Sequence, residues 1–289
     1  MKKNLTAIIP AYNEEKTIGG LIDDLKKELS NLDLEYEIIV VNDASTDKTK
    51  EILEKTEGIK LINHPYNKGY GASLKTGIKN ARYDLLLFID GDGQHPIEEI
   101  PNLLKYADEF DMVTGARIKG YKGPYMRRPG KKLLHFIAKY LTGVDIPDLN
   151  CGFRMIKKGE LIKILHLLPS GFSFSTTSIL AFAKDGLNIK SVPIEIKKRQ
   201  GKSMVKPKDA LRMLLLILRI VLLFSPLKVF LPVSVFFFIC TILSAAYDLI
   251  FQPLNITDTT ILFFVSFILI FFFGLIADQL AAIRRQLRK

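Results

Sequence analysis

Tryptophan is absent from this chain of 289 residues, and cysteine occurs only twice. No motif that depends on tryptophan can be present. Cys151 and Cys240 make neither a disulfide framework nor a zinc-ligand spacing, and Cys240 lies inside an apolar run. The loop G-x4-G-K-[ST] is missing, which argues against a P-loop ATPase. Gly69-Tyr-Gly71-Ala-Ser-Leu departs from GxGxxG and reads instead as the start of a helix packed tightly on a sheet. No GxSxG elbow occurs. The N-terminus, MKKNLTAIIPAYNEE, carries two lysines, but its apolar stretch is too short for a signal peptide and is broken by Asn13, Glu14 and Glu15. It reads as a first strand, and the N-terminal domain is expected to stay in the cytoplasm.

What the chain does have is apolar residues, 48% of the total, and a formal net charge of +11. The length allows one substantial domain and an appendage. A basic balance points to an anionic partner: nucleic acid, an acidic membrane surface or a phosphate-bearing substrate. The uneven spread of the apolar residues decides among them. VFLPVSVFFFICTILSAAYDLI (229–250) and ILFFVSFILIFFFGLIA (261–277), the latter extended by Thr259 and Thr260, are each long enough to span a bilayer. Neither has a charged face, and two adjacent Phe-rich runs of this kind suit lipid better than the core of a soluble protein. Two transmembrane helices are expected at about 229–250 and 259–280, with a basic tail to 289. Lys228 precedes the first, and Arg284, Arg285, Arg288 and Lys289 follow the second; the connecting QPLNITDTT has no Lys or Arg. The positive-inside rule then puts both termini in the cytoplasm and the loop, with its Asn255-Ile-Thr257 sequon, outside. The protein is expected to be a multi-pass protein of the cell membrane.

Two further segments suit a membrane surface. KPKDALRMLLLILRIVLLFSP (206–226) places Arg212 and Arg219 on one face of an otherwise apolar juxtamembrane helix. KKLLHFIAKYLTG (131–143) is amphipathic, and periodicity alone fits an interface helix and an ordinary core-packed helix equally. His135 there reads as a solvated helix residue. Interface lysines near anionic lipid account for the net charge better than nucleic-acid binding, for which no aromatic-basic platform is present.

Residues 1 to about 115 alternate strands and helices. LTAIIPA, YEIIVVND, IKLINH, DLLLFIDGD and FDMVTGA read as strands; EKTIGGLIDDLKKEL, TDKTKEILEKT, YGASLKTGIKNA and PIEEIPNLLKYADE read as helices. That alternation predicts a mostly parallel sheet covered on both faces, with ligands bound beyond the C-terminal strand ends. The polar clusters lie there: Tyr12-Asn13-Glu14, Asn42-Asp43, and Asp90 with Asp92. An Asp-Gly turn alone would not predict this convergence. In an extended segment Asp90, Asp92 and Gln94 share one side. Hard oxygen ligands of this kind suit Mg²⁺ or Mn²⁺, which retain water and phosphate oxygens as further ligands. Gly91 and Gly93 let the chain bend around the site.

IPAYNEE, VVNDASTDKT, NKGYGASLKTGIKNA and DGDGQHP, in this order, resemble the family 2 glycosyltransferases of the A-type nucleotide-diphospho-sugar fold. The resemblance continues through GAR (115–117), DLNCGFRMIKK, GFSFSTTSIL and VPIEIKKRQGKS, covering nearly all of 1–210. With the interface helices and terminal hairpin, the chain is most similar to the polyprenyl-phosphate glycosyltransferases, the group of dolichyl-phosphate mannose synthase and polyprenyl-phosphate glucosyltransferase. The implied architecture is α/β: a Rossmann-like, mostly parallel sheet in a cytoplasmic catalytic domain (1–205), an amphipathic helix (206–226) and a two-helix transmembrane hairpin (229–289).

The resemblance implies roles. Pro10, Tyr12, Glu14, Val41 and Asp43 would cradle the base and ribose of a nucleotide-diphosphate sugar, GDP-mannose or UDP-glucose. Asp90, Gly91, Asp92 and Gln94 would form the metal and diphosphate site, with Mg²⁺ or Mn²⁺ on Asp90, Asp92 and Gln94. Arg117, with Arg127 or Arg128, would hold the acceptor phosphate of a polyprenyl lipid, and Arg199 would close over the donor. Asn42 stands where many relatives carry an acid. Asp92, Arg117 and Arg199 are thus the expected catalytic set of a metal-dependent, inverting hexosyltransferase. A phosphate monoester is largely dianionic at pH 7, with a second pKa of about 6, so no carboxylate base is expected; Asp148 is the alternative base, or a loop residue. Two other readings compete: extension of a polysaccharide or glycolipid hydroxyl, and an inactive nucleotide-sugar-binding scaffold. Polysaccharide synthases of this family usually carry QxxRW and more spans, and this chain has no Trp. Intact Asp90, Asp92, Gln94 and Arg117 argue against degeneration. A homo-oligomer is compatible with this reading.

Overall fold

The computed structural model describes residues 3–117, 135–136, 139–140, 143, 145–171, 173–195, 222, 225–251 and 255–286. The chain divides into two compact units, Met1–Lys206 and Pro207–Lys289.

The first unit holds a seven-stranded sheet. Its strands are β1 (Lys3–Ala11), β2 (Leu34–Asn42), β3 (Lys60–Asn63), β4 (Leu85–Phe88), β5 (Met112–Arg117), β6 (Arg154–Lys157) and β7 (Ile189–Ile194). They lie in the order β3-β2-β1-β4-β6-β5-β7. All neighbours are parallel except β6, which runs antiparallel to both β4 and β5. The helices are α1 (Ile18–Ser30), α2 (Thr49–Glu54), α3 (Tyr70–Asn80), α4 (Ile100–Leu104, after a 3₁₀ turn at Ile97–Glu99), α5 (Lys158–Ile164) and α6 (Phe174–Lys184).

The apolar runs explain the layers. Leu5, Ala7, Ile8 and Ile9 of β1 are all fully buried, as expected for a central strand covered on both faces. Leu5, Ala7 and Ile9 share a core with Ile18, Leu21, Ile22, Leu25 and Leu29 of α1, whose spacing makes one helical face. Ile8 points to the other layer, where Gly77 of α3 lies against it so closely that a Cβ there would sit 2.4 Å from Ile8 Cγ2. The helix expected over 96–109 is shorter and begins as 3₁₀. Pro101, which has no N–H to give, sits at its start. The helix expected over 46–56 begins only at Thr49, because Ser45, Thr46 and Asp47 bond the neighbouring loop instead.

The strand order fixes where a ligand can sit. The chain builds outward from β1 to β2 and β3, then returns to place β4 on the other side of β1. Between β1 and β4 the winding reverses, which opens a crevice at their C-terminal ends.

The second unit is a hairpin of α7 (Leu227–Phe251) and α8 (Asp258–Gln286). Both are long and apolar enough to cross a membrane. They extend past the apolar runs because good helix formers such as Gln279, Leu280, Ala281 and Ala282 follow the second run. Phe238 and Phe267 meet with ring centroids 4.9 Å apart. Gly274 allows close approach: a Cβ there would lie 2.7 Å from Phe230 Cβ. The buried Asp248 closes the turn, accepting hydrogen bonds from the Thr257 backbone N–H (3.0 Å), the Thr257 hydroxyl (2.9 Å) and the Thr260 hydroxyl (2.7 Å).

Candidate active site

The loops after β1 and β2 are knitted into one surface. Asn13 N–H donates to Ser45 Oγ (3.1 Å), and Asn13 Oδ1 accepts from Thr46 N–H (2.8 Å). Glu14 N–H donates to Thr49 Oγ1 (2.8 Å), Glu15 N–H to Asp47 Oδ2 (3.2 Å), and Glu15 Oε2 accepts from Lys48 N–H (3.1 Å). Short polar side chains that bond nearby backbone make this possible. Burial would raise the Asp47 carboxyl, but hydrogen bonds from Thr49 and Glu15 outweigh it and hold the group below its ordinary value. Asn13 (φ 57°) and Ala44 (φ 58°) both adopt the left-handed region here. Such strain in non-glycine residues concentrates at functional sites.

Of the residues expected to cradle the nucleotide, Tyr12 is 46% exposed at the strand end and Glu14 is half-buried beside it. Pro10 and Val41 are buried partners across β1 and β2 and supply a floor. Asp43 is only 3% exposed, and its carboxylate accepts from Lys68 N–H (2.9 Å), Gly69 N–H (2.8 Å) and His64 Nδ1 (2.7 Å). These contacts brace the 64–69 loop at the start of α3. His64 Nε2 in turn meets Thr76 Oγ1 at 2.9 Å. Asn42, also buried, donates its amide to Asn63 and accepts from Ser45 N–H. Gly69 and Gly71 do begin a helix, but they pack against the 169–171 segment, whose carbonyls would lie 2.4–2.9 Å from added Cβ atoms. The glycine against the sheet is Gly77.

The acidic turn is not the extended segment that parity assumed. Pairing with β1 ends at Ile89, whose N–H donates to Ile8 O (3.2 Å), and Gly93 takes φ 67°. Asp92 closes the turn on itself: Oδ1 accepts from Gln94 N–H (3.1 Å) and Oδ2 from Gln94 Nε2 (2.9 Å). Asp92 and Gln94 are therefore in contact by turn geometry, while Asp90 is held separately. Thr17 Oγ1 donates to Gly91 O (2.9 Å), tying the turn to the loop after β1 across the crevice. A cleft of about 210 Å³ lies between α1 and this turn, lined by Thr17, Gly93 and His95 among others.

Asp90 has the most elaborate surroundings. Its Oδ1 accepts from the Tyr70 hydroxyl (2.7 Å), and Oδ2 meets His95 Nε2 at 2.9 Å. Its side chain is 31% exposed. Burial alone would raise its pKa, but His95, Tyr70 and the Arg154 charge together hold it below the ordinary value, so it is ionised at neutral pH. Burial, then the neighbouring Asp90, push Tyr70 well above the usual phenol range. His95 is 6% exposed and stacks on Phe153 (5.5 Å, 18°), and its Nδ1 is buried without a partner among the described residues. Arg154, 1% exposed, donates to Cys151 O, Ser175 O and Ser178 Oγ, all neutral oxygens. Burial lowers its pKa, opposed by Cys151, Tyr70, Asp148 and Asp90. Gly152 lets the carboxylate approach the chain: a Cβ there would lie 2.4 Å and 2.7 Å from the two Asp90 oxygens.

No three His, Cys, Asp or Glu side chains converge as a metal-ligand set among the described residues. A cation at the turn would take Asp90, Asp92 or Gln94 oxygens and complete its shell from water and substrate, a donor set of hard oxygens that fits Mg²⁺ or Mn²⁺. Arg117 ends β5, at the same edge of the sheet. Arg127, Arg128 and Arg199 lie outside the described residues, as do most of the 131–143 and 206–226 segments. Asp148 is half-buried and accepts from Asn150 N–H (3.1 Å), a loop bond. Tyr70, Gly152 and Arg154, brought to Asp90 from distant parts of the chain, have no local signal in the sequence. His95 follows the acidic pair directly, and its place in DGDGQH was the available hint.

Comparison with known proteins agrees with this fold. The Glycosyl transferase family 2 profile matches residues 6–165, and the GtrB C-terminal hairpin profile matches 225–283. A dolichyl-phosphate beta-glucosyltransferase of Trichomonas vaginalis is 31% identical over 69% of this chain and 68% of its own length. An undecaprenyl-phosphate 4-deoxy-4-formamido-L-arabinose transferase of Proteus mirabilis is 31% identical over 53% of this chain and 49% of its own. An uncharacterized protein of Methanocaldococcus jannaschii is 34% identical over 67% and 82%. Among solved structures, glucosyl-3-phosphoglycerate synthase from Mycobacterium tuberculosis, in complex with Mn²⁺, UDP-glucose and phosphoglyceric acid, superposes with a TM-score of 0.59 at 20% identity, covering 76% of this chain and 79% of that one. Mannosyl-3-phosphoglycerate synthase from Rubrobacter xylanophilus gives 0.60 at 21%, covering 76% and 72%. At that identity the structures establish a shared fold. With its reversed sheet, acidic turn and closing hairpin, the chain belongs to glycosyl transferase family 2.

Proposed function

We propose that the protein transfers a hexose, mannose or glucose, from GDP-mannose or UDP-glucose to a polyprenyl phosphate of dolichyl type at the cytoplasmic face of the cell membrane. The observation that carries this reading is the pairing, in one chain, of the family 2 domain with the GtrB hairpin. Relatives whose names specify polyprenyl-phosphate and dolichyl-phosphate acceptors support it. The domain organisation follows: a catalytic domain over 1–205, a juxtamembrane helix over 206–226 and a transmembrane hairpin over 229–289, with both termini on the cytoplasmic side by the positive-inside rule.

In this reading the nucleotide lies in the crevice between β1 and β4. Pro10, Tyr12, Glu14, Val41 and Asp43 border its base and ribose, with Pro10 and Val41 as the floor and Asp43 beside the loop that closes one side. Asp90, Asp92 and Gln94, with the Gly91 backbone, face the diphosphate and would hold Mg²⁺ or Mn²⁺. Such an ion offsets the negative charge that grows on the departing diphosphate. Arg117, with Arg127 or Arg128, binds the acceptor phosphate through the bidentate geometry that arginine offers phosphate oxygens, and Arg199 covers the donor. The acceptor is already largely dianionic, so attack on the anomeric carbon needs no protein base and inverts its configuration. Asp148, engaged by the Asn150 backbone, has a loop role in this scheme.

The test is incubation of the detergent-solubilised protein with labelled GDP-mannose or UDP-glucose, a defined polyprenyl phosphate and Mn²⁺. A mild-acid-labile lipid of the mass of the sugar-phosphate product is expected. Label confined to polymer, or no turnover with any nucleotide sugar, would overturn the reading.

A further inference from the structure

Three consecutive residues at the start of β6 surround one cluster. Gly152 leaves the space into which the Asp90 carboxylate fits, Phe153 stacks on His95, and Arg154 is a buried cation whose hydrogen bonds all go to neutral oxygens. From the opposite side, the first residue of α3 reaches Asp90 Oδ1 with its hydroxyl at 2.7 Å. His95 takes Oδ2 at 2.9 Å. An ionised carboxylate has about four acceptor sites; these two contacts use one on each oxygen and prevent rotation. The placement of His95 has a cost. Its Nδ1 is buried and has no partner among the described residues, whereas a histidine kept only for packing is normally satisfied at both nitrogens. The ring is oriented for Asp90 at the expense of its own second hydrogen bond.

We infer that Tyr70 and His95 are positioning residues of the transfer site, gripping the Asp90 carboxylate from two sides so that its remaining lone pairs meet a divalent cation and the donor diphosphate in one orientation. The inference rests on the nucleotide-sugar reading of the crevice but not on the identity of the acceptor. Neither residue touches substrate in this scheme; each acts through Asp90. Outer partners of this kind alter metal affinity or activity by about 10- to 100-fold when removed.

The test uses the full chain in detergent, with Tyr70→Phe, His95→Leu and His95→Gln. Gln can return an N–H close to the position of Nε2. Mn²⁺ binding in the presence of UDP or GDP is followed by electron paramagnetic resonance, with kcat, KM for the donor and Tm measured alongside. Tyr70→Phe and His95→Leu should each weaken Mn²⁺ binding by roughly 10- to 100-fold, and His95→Gln should recover to within about threefold of the parent. Wild-type Mn²⁺ affinity in Tyr70→Phe and His95→Leu, with only Tm lowered, would reduce both residues to structural supports and overturn the inference. Parent protein that binds Mn²⁺ and nucleotide through these residues but glycosylates no polyprenyl phosphate would leave the inference standing and remove the proposed acceptor instead.

Discussion

Replacing Gly152 by Ala puts one methyl group where the structure has room for none. The new Cβ would lie 2.4 Å from Oδ2, 2.7 Å from Oδ1 and 2.8 Å from Cγ of Asp90. All three are closer than any ordinary non-bonded contact, and the carboxylate cannot retreat without lengthening its bond to Tyr70 (2.7 Å) or His95 (2.9 Å). Losing one hydrogen bond to a charged group costs about 1.5–3 kcal/mol. Gly152 is not among the glycines with positive φ, so alanine also gains about 0.4–1 kcal/mol by restricting the unfolded chain. Net destabilisation should be roughly 1–2 kcal/mol. If the orientation of Asp90 governs donor binding and transfer, the full 1.5–3 kcal/mol also appears in kcat/KM, a fall of about 10- to 150-fold. Gly77→Ala is the comparison. Its Cβ would meet Ile8 Cγ2 at 2.4 Å, so overpacking should cost about 1–3 kcal/mol of stability with kcat/KM of the folded fraction retained. Steady-state transfer kinetics and thermal unfolding in detergent measure both. Parent-like kcat/KM for Gly152→Ala would refute the claim that Asp90 must stay where Tyr70 and His95 hold it.

Other perturbations follow from the same geometry. Ala44→Gly removes a left-handed backbone strain of about 1–2 kcal/mol and gives back about 0.4–1 kcal/mol in unfolded-state entropy, so the chemical-denaturation midpoint should rise by the equivalent of ~0.5–1 kcal/mol. Asp47 has a lowered folded-state pKa, so its contribution to stability is complete above its unfolded value near 3.9 and is lost as pH falls through the folded value. Asp47→Asn should therefore lower Tm at pH 6 and approach the parent once the pH falls below the folded-state value, as differential scanning fluorimetry across pH would show. Asp92→Ala, or chelation of the parent with EDTA, should abolish sugar transfer, and Mn²⁺ should restore the chelated parent but not the variant; turnover by Asp92→Ala would remove that carboxylate from the site.

Much of this architecture is legible in the residues themselves. β1, the second half of β2 and β4 are apolar runs of the buried-parallel kind, and α1 declares its buried face through Ile18, Leu21, Ile22, Leu25 and Leu29. The polar clusters at strand ends mark the ligand edge because parallel strands all point one way. The hairpin is legible from length and composition alone. β6 and β7 are not, and the antiparallel register of β6 is set by pairing such as Leu85 with Lys157. The inner workings of the site are hidden for a similar reason. Asp43 carries the same letter whatever surrounds it; its contacts with Lys68, Gly69 and His64 are made only by the fold. The Asp90 grip joins α3, the acidic turn and the start of β6, which tertiary packing alone brings together. Strand parity placed Asp90, Asp92 and Gln94 on one side of an extended segment; the chain instead turns there, and Asp92 meets Gln94 across the turn.

The most direct measurement of the account is the mass of the lipid product. Purified protein, labelled UDP-glucose or GDP-mannose and a defined polyprenyl phosphate should yield one new species, heavier than the acceptor by a single hexose residue and cleaved by mild acid. Sugar found only on hydroxyl acceptors or in polymer, with the polyprenyl phosphate recovered unchanged, would contradict it.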